Sequence, residues 1–208
     1  MLVLGVNTVG DACEAALVKG RAIAELSEPM SNGHDARLAP LVDRLMRDAK
    51  TPFAALDRIA VIVGPGSFTG VRVGVAFARG LSLALEIPSV GVTSLEALDG
   101  LPPDRRVLGL LPAKRRPPQR TWWAQLLDKG RGAASPVELD EQGVRELAQS
   151  ADAICGNLGG LAELSKPGIP ALPTARAAAE LVSRLDGDLP PARPVYVREP
   201  DATPMERP

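Results

Sequence analysis

Gly64-Pro65-Gly66-Ser67-Phe68-Thr69-Gly70-Val71-Arg72-Val73-Gly74 separates two apolar runs, Arg58 to Val63 and Val75 to Leu85. A short β-branched run, a Gly/Pro turn and a long apolar segment predict strand, loop and helix. Ser67 and Thr69 are candidate N-caps, because a side-chain oxygen can accept an orphan N–H of the first turn. Free N–H groups at the positive end of a helix would also suit an anion. The nucleotide motifs do not fit, however. A Walker A loop ends in Gly-Lys-Ser/Thr and no Lys lies near Gly70, while Thr69 stands where a dinucleotide fingerprint needs its third glycine. The stretch reads as a tight turn whose glycines let the helix approach a sheet.

Within the helix, Gly70, Gly74 and Ala78 recur every fourth residue, so one face carries almost no side chain. Each helical glycine costs about 1 kcal/mol relative to alanine, and close approach of another backbone is the usual compensation. That backbone could belong to the chain's own sheet or to another subunit. Periodicity does not choose between them.

The 208 residues, 45% apolar with a net charge of −1, predict a soluble globular protein of one domain or two small lobes. A nucleic-acid binder acting alone would need a basic surplus on some face and more stacking aromatics than two Trp, one Tyr and three Phe. The densest basic stretch, Arg105, Arg106, Lys114, Arg115, Arg116 and Arg120, is broken by prolines. It reads as a solvated loop, with an RNA-facing patch as the alternative. Cys13 and Cys155 form no metal or redox motif, and their scarcity suits a reducing cytosol. The N-terminal apolar run lacks a preceding basic region and is not read as a signal peptide. No apolar run is read as membrane-spanning. The single histidine, His34, excludes a two-histidine metal site within one chain. It follows the turn-like Ser31-Asn32-Gly33 beside Asp35, where a cap or surface role is expected.

Leu2 to Val6, Cys13 to Val18 and Ala22 to Leu26 predict three strands, with Val18-Lys19-Gly20-Arg21 as a hairpin turn. Leu38, Leu41, Val42, Leu45, Met46 and Ala49 follow the i, i+3, i+4, i+7 pattern of an amphipathic helix, in whose first turn Pro40 should sit. Thr51-Pro52 predicts a capped helical turn, and Ser89 to Val92 another strand. Thr93-Ser94-Leu95-Glu96 has capping-box spacing and predicts a short helix. Further on, Arg106 to Leu111, Thr121 to Leu127 and Ala151 to Cys155 read as strands, and Thr174 to Leu185 as a helix. Adjacent Trp122 and Trp123 should face opposite sides of a strand, one of them in the core. The tail from Pro190 holds six prolines around a strand-like Val195-Tyr196-Val197-Arg198 and should be extended.

Three strands, helix, strand, helix and a further strand is the order of the ribonuclease H-like lobe in the actin and sugar-kinase superfamily. The glycine stretch resembles the hallmark of the bacterial TsaB family, also called YeaZ. So do Asn7-Thr8, Ala12-Cys13-Glu14-Ala15-Ala16-Leu17, His34 to Val42, Gly91-Val92-Thr93-Ser94-Leu95 and Pro194-Val195-Tyr196-Val197-Arg198-Glu199-Pro200-Asp201-Ala202. These are accessory proteins of the machinery that makes threonylcarbamoyladenosine in tRNA. The likeness spans nearly the whole chain.

The resemblance implies an α/β fold of two ribonuclease H-like lobes: residues 1–99 with the association helices, and a smaller lobe over 100–208 with the Pro-rich tail. It implies a non-catalytic, cytoplasmic scaffold that binds a TsaD-like enzyme, is joined by a TsaE-like ATPase and meets tRNA only indirectly, with homodimer or monomer left open for the free protein. Combined with the helix spacing, it makes Leu38, Val42, Gly70, Val71, Gly74, Val75 and Ala78 the expected partner contacts, rimmed by Arg72 and Arg79. Burial within the chain's own lobe is the alternative for each apolar residue. Asn7, Thr8, Gly66 and Ser67 are candidate nucleotide contacts, ATP or ADP at the partner junction being left open; no metal, membrane or catalytic residue is expected. The other class considered is an enzyme, an ATP-using phosphotransferase or a glycoprotease-like hydrolase. Against it stand Asn7, where the family usually has Asp, and Pro112-Ala113-Lys114-Arg115-Arg116, where an Asp commonly precedes Ala-Arg. The lack of a second histidine and of a P-loop lysine adds to this.

Overall fold

In the computed structural model, which describes residues 1–113, 120–161, 164, 166, 168–187 and 189–197, two sheets carry the chain. Lys114, Arg115 and Arg116 of the basic stretch, and Arg198 to Ala202 of the tail, lie outside the described residues.

Alternation of β-branched and small residues builds the first sheet from β1 (Val3–Asn7), β2 (Ala12–Lys19), β3 (Arg21–Pro29), β4 (Arg58–Ile62) and β5 (Ser89–Val92). Their order is β3-β2-β1-β4-β5, antiparallel as far as β1 and parallel beyond it. The predicted hairpin turns at Gly20, whose φ of 70° only glycine adopts freely. Parallel pairing needs crossovers. Here α1 (His34–Asp48) and α2 (Phe68–Leu85) supply them, packing against each other and against the sheet. Leu38, Leu41, Val42, Leu45 and Met46 turn the apolar stripe of α1 inward, while Asp43–Arg47 and Arg44–Asp48 pairs occupy its exposed side.

The second sheet comprises β6 (Arg106–Ala113), β7 (Thr121–Asp128), β8 (Arg131–Gly132), β9 (Val137–Leu139), β10 (Ala153–Gly156) and β11 (Gly168–Pro170). Its path is β11-β10-β6-β7-β8, with β9 also on β7. One helix, α3 (Glu141–Ala148), packs on β7 and β9. Trp122 is 2% exposed in this lobe's core and donates through Nε1 to the carbonyl of Leu158 at 2.9 Å. Trp123, on the other side of the strand, packs against Leu95, Leu98 and their neighbours between the lobes.

The last helix, α4 (Ala175–Ser183), begins at the Thr174 N-cap and lies on β1, β2 and β4, on the sheet face away from α1 and α2. The division read at residue 99 leaves this helix outside the first lobe, whereas its Ala178, Ala179, Leu181 and Val182 belong to the first lobe's core. Small residues make the approach close: a Cβ on Gly5 would overlap the carbonyl oxygen of Ala175. The chain after α4 returns along the same sheet edge. There Ala192 N–H donates to Ser89 and Val195 N–H to Val63.

Several local expectations change. Helix α1 starts at His34, so Pro40 sits in the second turn, where the carbonyl it cannot serve, that of Ala36, is on the exposed side. Thr51 does not cap the 3-10 turn Phe53–Ala55; its hydroxyl donates to Ala49. The Thr93–Glu96 capping-box bonds form, yet the segment is a turn because Leu98 is drawn into a bridge with Pro173. Val195 to Val197 form no strand, and Val197 lies in a bend. His34, expected in a cap or at the surface, is the first residue of α1 but is 6% exposed, and its Nε2 has no hydrogen-bond partner among the described residues. Phe68–Leu85, with a mean hydropathy of 1.3, is long and apolar enough by composition to cross a membrane, contrary to the sequence reading. Its place as the β4–β5 crossover makes it a helix of the lobe.

Cys13 is fully buried on β2. Burial, then the carboxylates of Glu28 and Glu14, push its thiol from 9.0 to about 11, with Arg37 opposing. A raised folded-state value means the unfolded thiol ionises first. Stability is therefore intact below pH 9 and declines towards 11, by on the order of 2 kcal/mol from this group. Denaturant melts from pH 8 to 11 should show that slope, and Cys13→Ala should flatten it; an unchanged slope contradicts the assignment.

Candidate functional site

The β1–β2 turn and the start of α2 meet behind the glycine loop. Thr8 Oγ1 donates to the Gly70 carbonyl at 2.7 Å, Ser67 N–H donates to Val9 at 3.0 Å, and Ser67 Oγ accepts from Gly70 N–H at 3.2 Å. Ser67 is thus the N-cap and Thr69 is not. The loop spends these donors on its own chain instead of presenting them to an anion. Gly66 is pressed on Val9, where an added Cβ would stand 2.8 Å from the carbonyl oxygen.

Asn7 is 4% exposed and fully engaged. Its Nδ2 donates to Glu14 at 2.9 Å and to the Pro173 carbonyl, and its Oδ1 accepts from Val9 N–H. Glu14 in turn accepts from Ala175 N–H at 3.1 Å, placing its carboxylate at the positive end of α4. An amide at position 7 fits here because it donates to Glu14, where an aspartate would repel it. The candidate nucleotide contacts Asn7, Thr8, Gly66 and Ser67 are brought together, but as a structural knot.

The bare stripe read as a partner seam faces inward. A Cβ on Gly70 would overlap the Thr8 carbonyl oxygen, and one on Gly74 would stand 2.6 Å from Thr8 Oγ1 and 3.4 Å from Val61. Leu38, Val42, Val71, Val75 and Ala78 are each at most 4% exposed in the first lobe's core. The two small-residue backbones that meet belong to one chain, so these seven residues are not a free contact surface. Arg72 and Arg79 are exposed. Arg72 lies over the Phe68 ring, 3.8 Å from its centroid, and donates through Nε to the Tyr196 hydroxyl; the two rings are 5.1 Å apart.

The outward face of α2 is a second stripe of the same spacing. Ala76, Gly80 and Ala84 recur every fourth residue and are exposed beside Leu83, which is 83% exposed. A Cβ on Gly80 would have no described residue within 4 Å. Val73 and Phe77 flank the stripe half-buried. The exposed side of α1 continues with the small residues Ala36, Ala39 and Pro40. Sequence reasoning missed this face, although the signal, a four-residue repeat offset by two from Gly74, was present.

The family model described as TsaD, tRNA N6-adenosine threonylcarbamoyltransferase, matches residues 27–99, from the end of β3 through both helices to the turn after β5. A "tRNA threonylcarbamoyladenosine biosynthesis protein TsaB" of Buchnera aphidicola is 34% identical over 97 residues, 47% of this chain. The chain spans about half the length of that curated relative, 46%. An uncharacterized protein of Mycobacterium tuberculosis is 32% identical over 210 residues, covering 98% of this chain and 94% of its own. Among solved structures, YeaZ from Pseudomonas aeruginosa superposes with a TM-score of 0.70 at 28% identity, over 87% of this chain and 90% of that one. The chain belongs to the TsaB (YeaZ) family. The YeaZ match takes in both lobes, so the fold is the two-lobed α/β arrangement of the actin and sugar-kinase superfamily. By contrast, the TsaB alignment reaches less than half of the chain, and the TsaD model is confined to the segment that holds both outward helix faces.

Proposed function

We propose that this chain is a non-catalytic, cytoplasmic subunit in threonylcarbamoyladenosine biosynthesis on tRNA, docking a TsaD-like enzyme on the outward face of α1 and α2. The observation that carries this is Gly80. Gly70 and Gly74 are accounted for by Thr8, but Gly80 costs helix stability and nothing among the described residues uses the space. A partner backbone lying across Ala76, Gly80 and Ala84, with Leu83 as the apolar anchor, would use it. Two helices meeting two helices of a partner with the same fold is a four-helix contact. A second copy of this chain would cover the same face in the free protein, and a TsaE-like ATPase would join the assembled pair. The Asn7–Glu14–Ala175 bonds speak against independent phosphoryl transfer, since the group at position 7 is uncharged and already committed.

Co-expression with the TsaD-like subunit of the same cell tests the reading. Ala76→Arg and Leu83→Glu should each weaken association on the order of 100-fold while leaving the melting temperature unchanged. Undiminished association by both variants would remove the outer face as the docking site. ATP turnover by the purified chain alone, abolished by Thr8→Ala, would replace the scaffold with an enzyme.

A further inference from the structure

The α1–α2 face leaves unexplained a cavity of about 490 Å³ between the lobes, none of whose lining comes from those helices. Its walls are the turn from Glu96 to Pro103, the β7–β8 hairpin at Lys129–Arg131 and the side of α4 from Arg176 to Leu185. Size, place at a lobe junction and a lining of Leu98, Leu101, Leu181 and Leu185 with a few charged groups are the attributes of a small-molecule site.

The charges define what it would hold. Arg176 is saturated, with Asp99 at 2.5 Å, Glu25 at 3.4 Å and Glu180 at 3.6 Å. Glu96, 7% exposed, is satisfied by backbone N–H groups of Thr93 at 2.9 Å and Gly132 at 3.0 Å. Arg131 Nη1 is buried and stands 3.5 Å from Glu96 Oε1, an ion pair without hydrogen-bond geometry, on a side chain that is 43% exposed. Buried donors in native proteins nearly always have a well-aligned acceptor, and among the described residues this one has only the Glu96 ion pair, so an anion in the cavity would complete it. Lys129 and Arg184 have no carboxylate partner among the described residues, although Glu180 is one turn from Arg184. The hairpin meets α4 close by: a Cβ on Gly130 would be 3.9 Å from Leu181, three residues before Arg184. A donor held only by a loose ion pair, and two cations without a carboxylate partner among the described residues, therefore border one apolar floor.

We propose that this cavity binds a small organic anion, a carboxylate or phosphate monoester on an apolar body. The anionic head would be shared by Arg131, Lys129 and Arg184, with the apolar part on Leu98, Leu101, Leu181 and Leu185. Such a ligand would bridge both lobes. The inference stands independently of the docking face.

Amide-shift titration of the full chain at low salt tests it, with phenyl phosphate, phenylacetate and inorganic phosphate as probes. At least one aromatic anion should shift the amides of residues 98–101, 129–131 and 177–185 saturably, and the stronger of the two identifies the head group. Inorganic phosphate, lacking the apolar body, should require about tenfold more. Lys129→Gln with Arg184→Gln should weaken the aromatic anion by on the order of tenfold without altering the melting temperature. No saturation by about 10 mM of any probe, shifts scattered away from the cavity, or unchanged affinity in the double variant overturns the site.

Discussion

Gly70→Ala lowers the stability of the folded chain by on the order of 3 kcal/mol, and Gly80→Ala on the same helix raises it by about 0.5–1 kcal/mol. The substitutions are chemically identical, Gly70 lying in the first turn of α2 and Gly80 in its interior. At Gly70 the new methyl group would occupy the space of the Thr8 carbonyl oxygen, a backbone atom that cannot rotate away. The helix must then lift from the β1–β2 turn, which strains the Thr8–Gly70 bond of 2.7 Å and loosens Val71 and Val75 in the core. At Gly80 the methyl group meets none of the described residues, so the helix propensity gain remains. Urea melts of both variants decide the matter. Equal effects, or a Gly70→Ala protein as stable as the parent, would mean that α2 is not seated on Thr8. The stabilised Gly80→Ala protein should also bind the TsaD-like subunit less well, since its extra methyl group lies on the proposed docking face.

This pair shows what the sequence could and could not carry. Spacing located α2, its Ser67 cap and the existence of a bare stripe, because these depend on residues within a few positions of each other. It did not fix which way the helix is turned. Gly70-Gly74-Ala78 and Ala76-Gly80-Ala84 are equivalent as patterns. The choice is made by Thr8, 62 residues before Gly70. Helix α3 went unread because Val144, Leu147 and Ala148 are its only apolar residues, and the Asp140 cap alone is a weak signal. Strands β8, β9 and β11 have two or three residues each, set by pairing with long neighbours more than by their own composition. The return of α4 to the first sheet was likewise hidden, resting on Gly5 at the other end of the chain.

The lobes are joined by a second non-local feature, and its loss should be costly. Glu96→Ala is expected to remove about 3–5 kcal/mol, measured as a shifted denaturant midpoint. The carboxylate accepts from Thr93, at the end of the first sheet, and from Gly132, in β8 of the second. Thr93 itself donates to Gln125 Oε1 at 2.7 Å, and Gln125 donates to the Ala134 carbonyl at 2.8 Å, so one chain of bonds runs from lobe to lobe. Ser94 ties the same turn to Pro65 of the glycine loop at 2.6 Å. Removing the carboxylate strands a buried N–H at Thr93 and a half-buried one at Gly132 and leaves Arg131 facing no counter-charge, each a penalty of roughly 1–3 kcal/mol. Glu96→Gln keeps an acceptor oxygen and should lose less than half as much. Because the bonds cross between sheets, the alanine variant should also expose the 99–106 connection to protease before either lobe unfolds. A loss below about 1 kcal/mol with unchanged cleavage would mean that apolar packing of Leu95 and Leu98, and not this network, holds the lobes together.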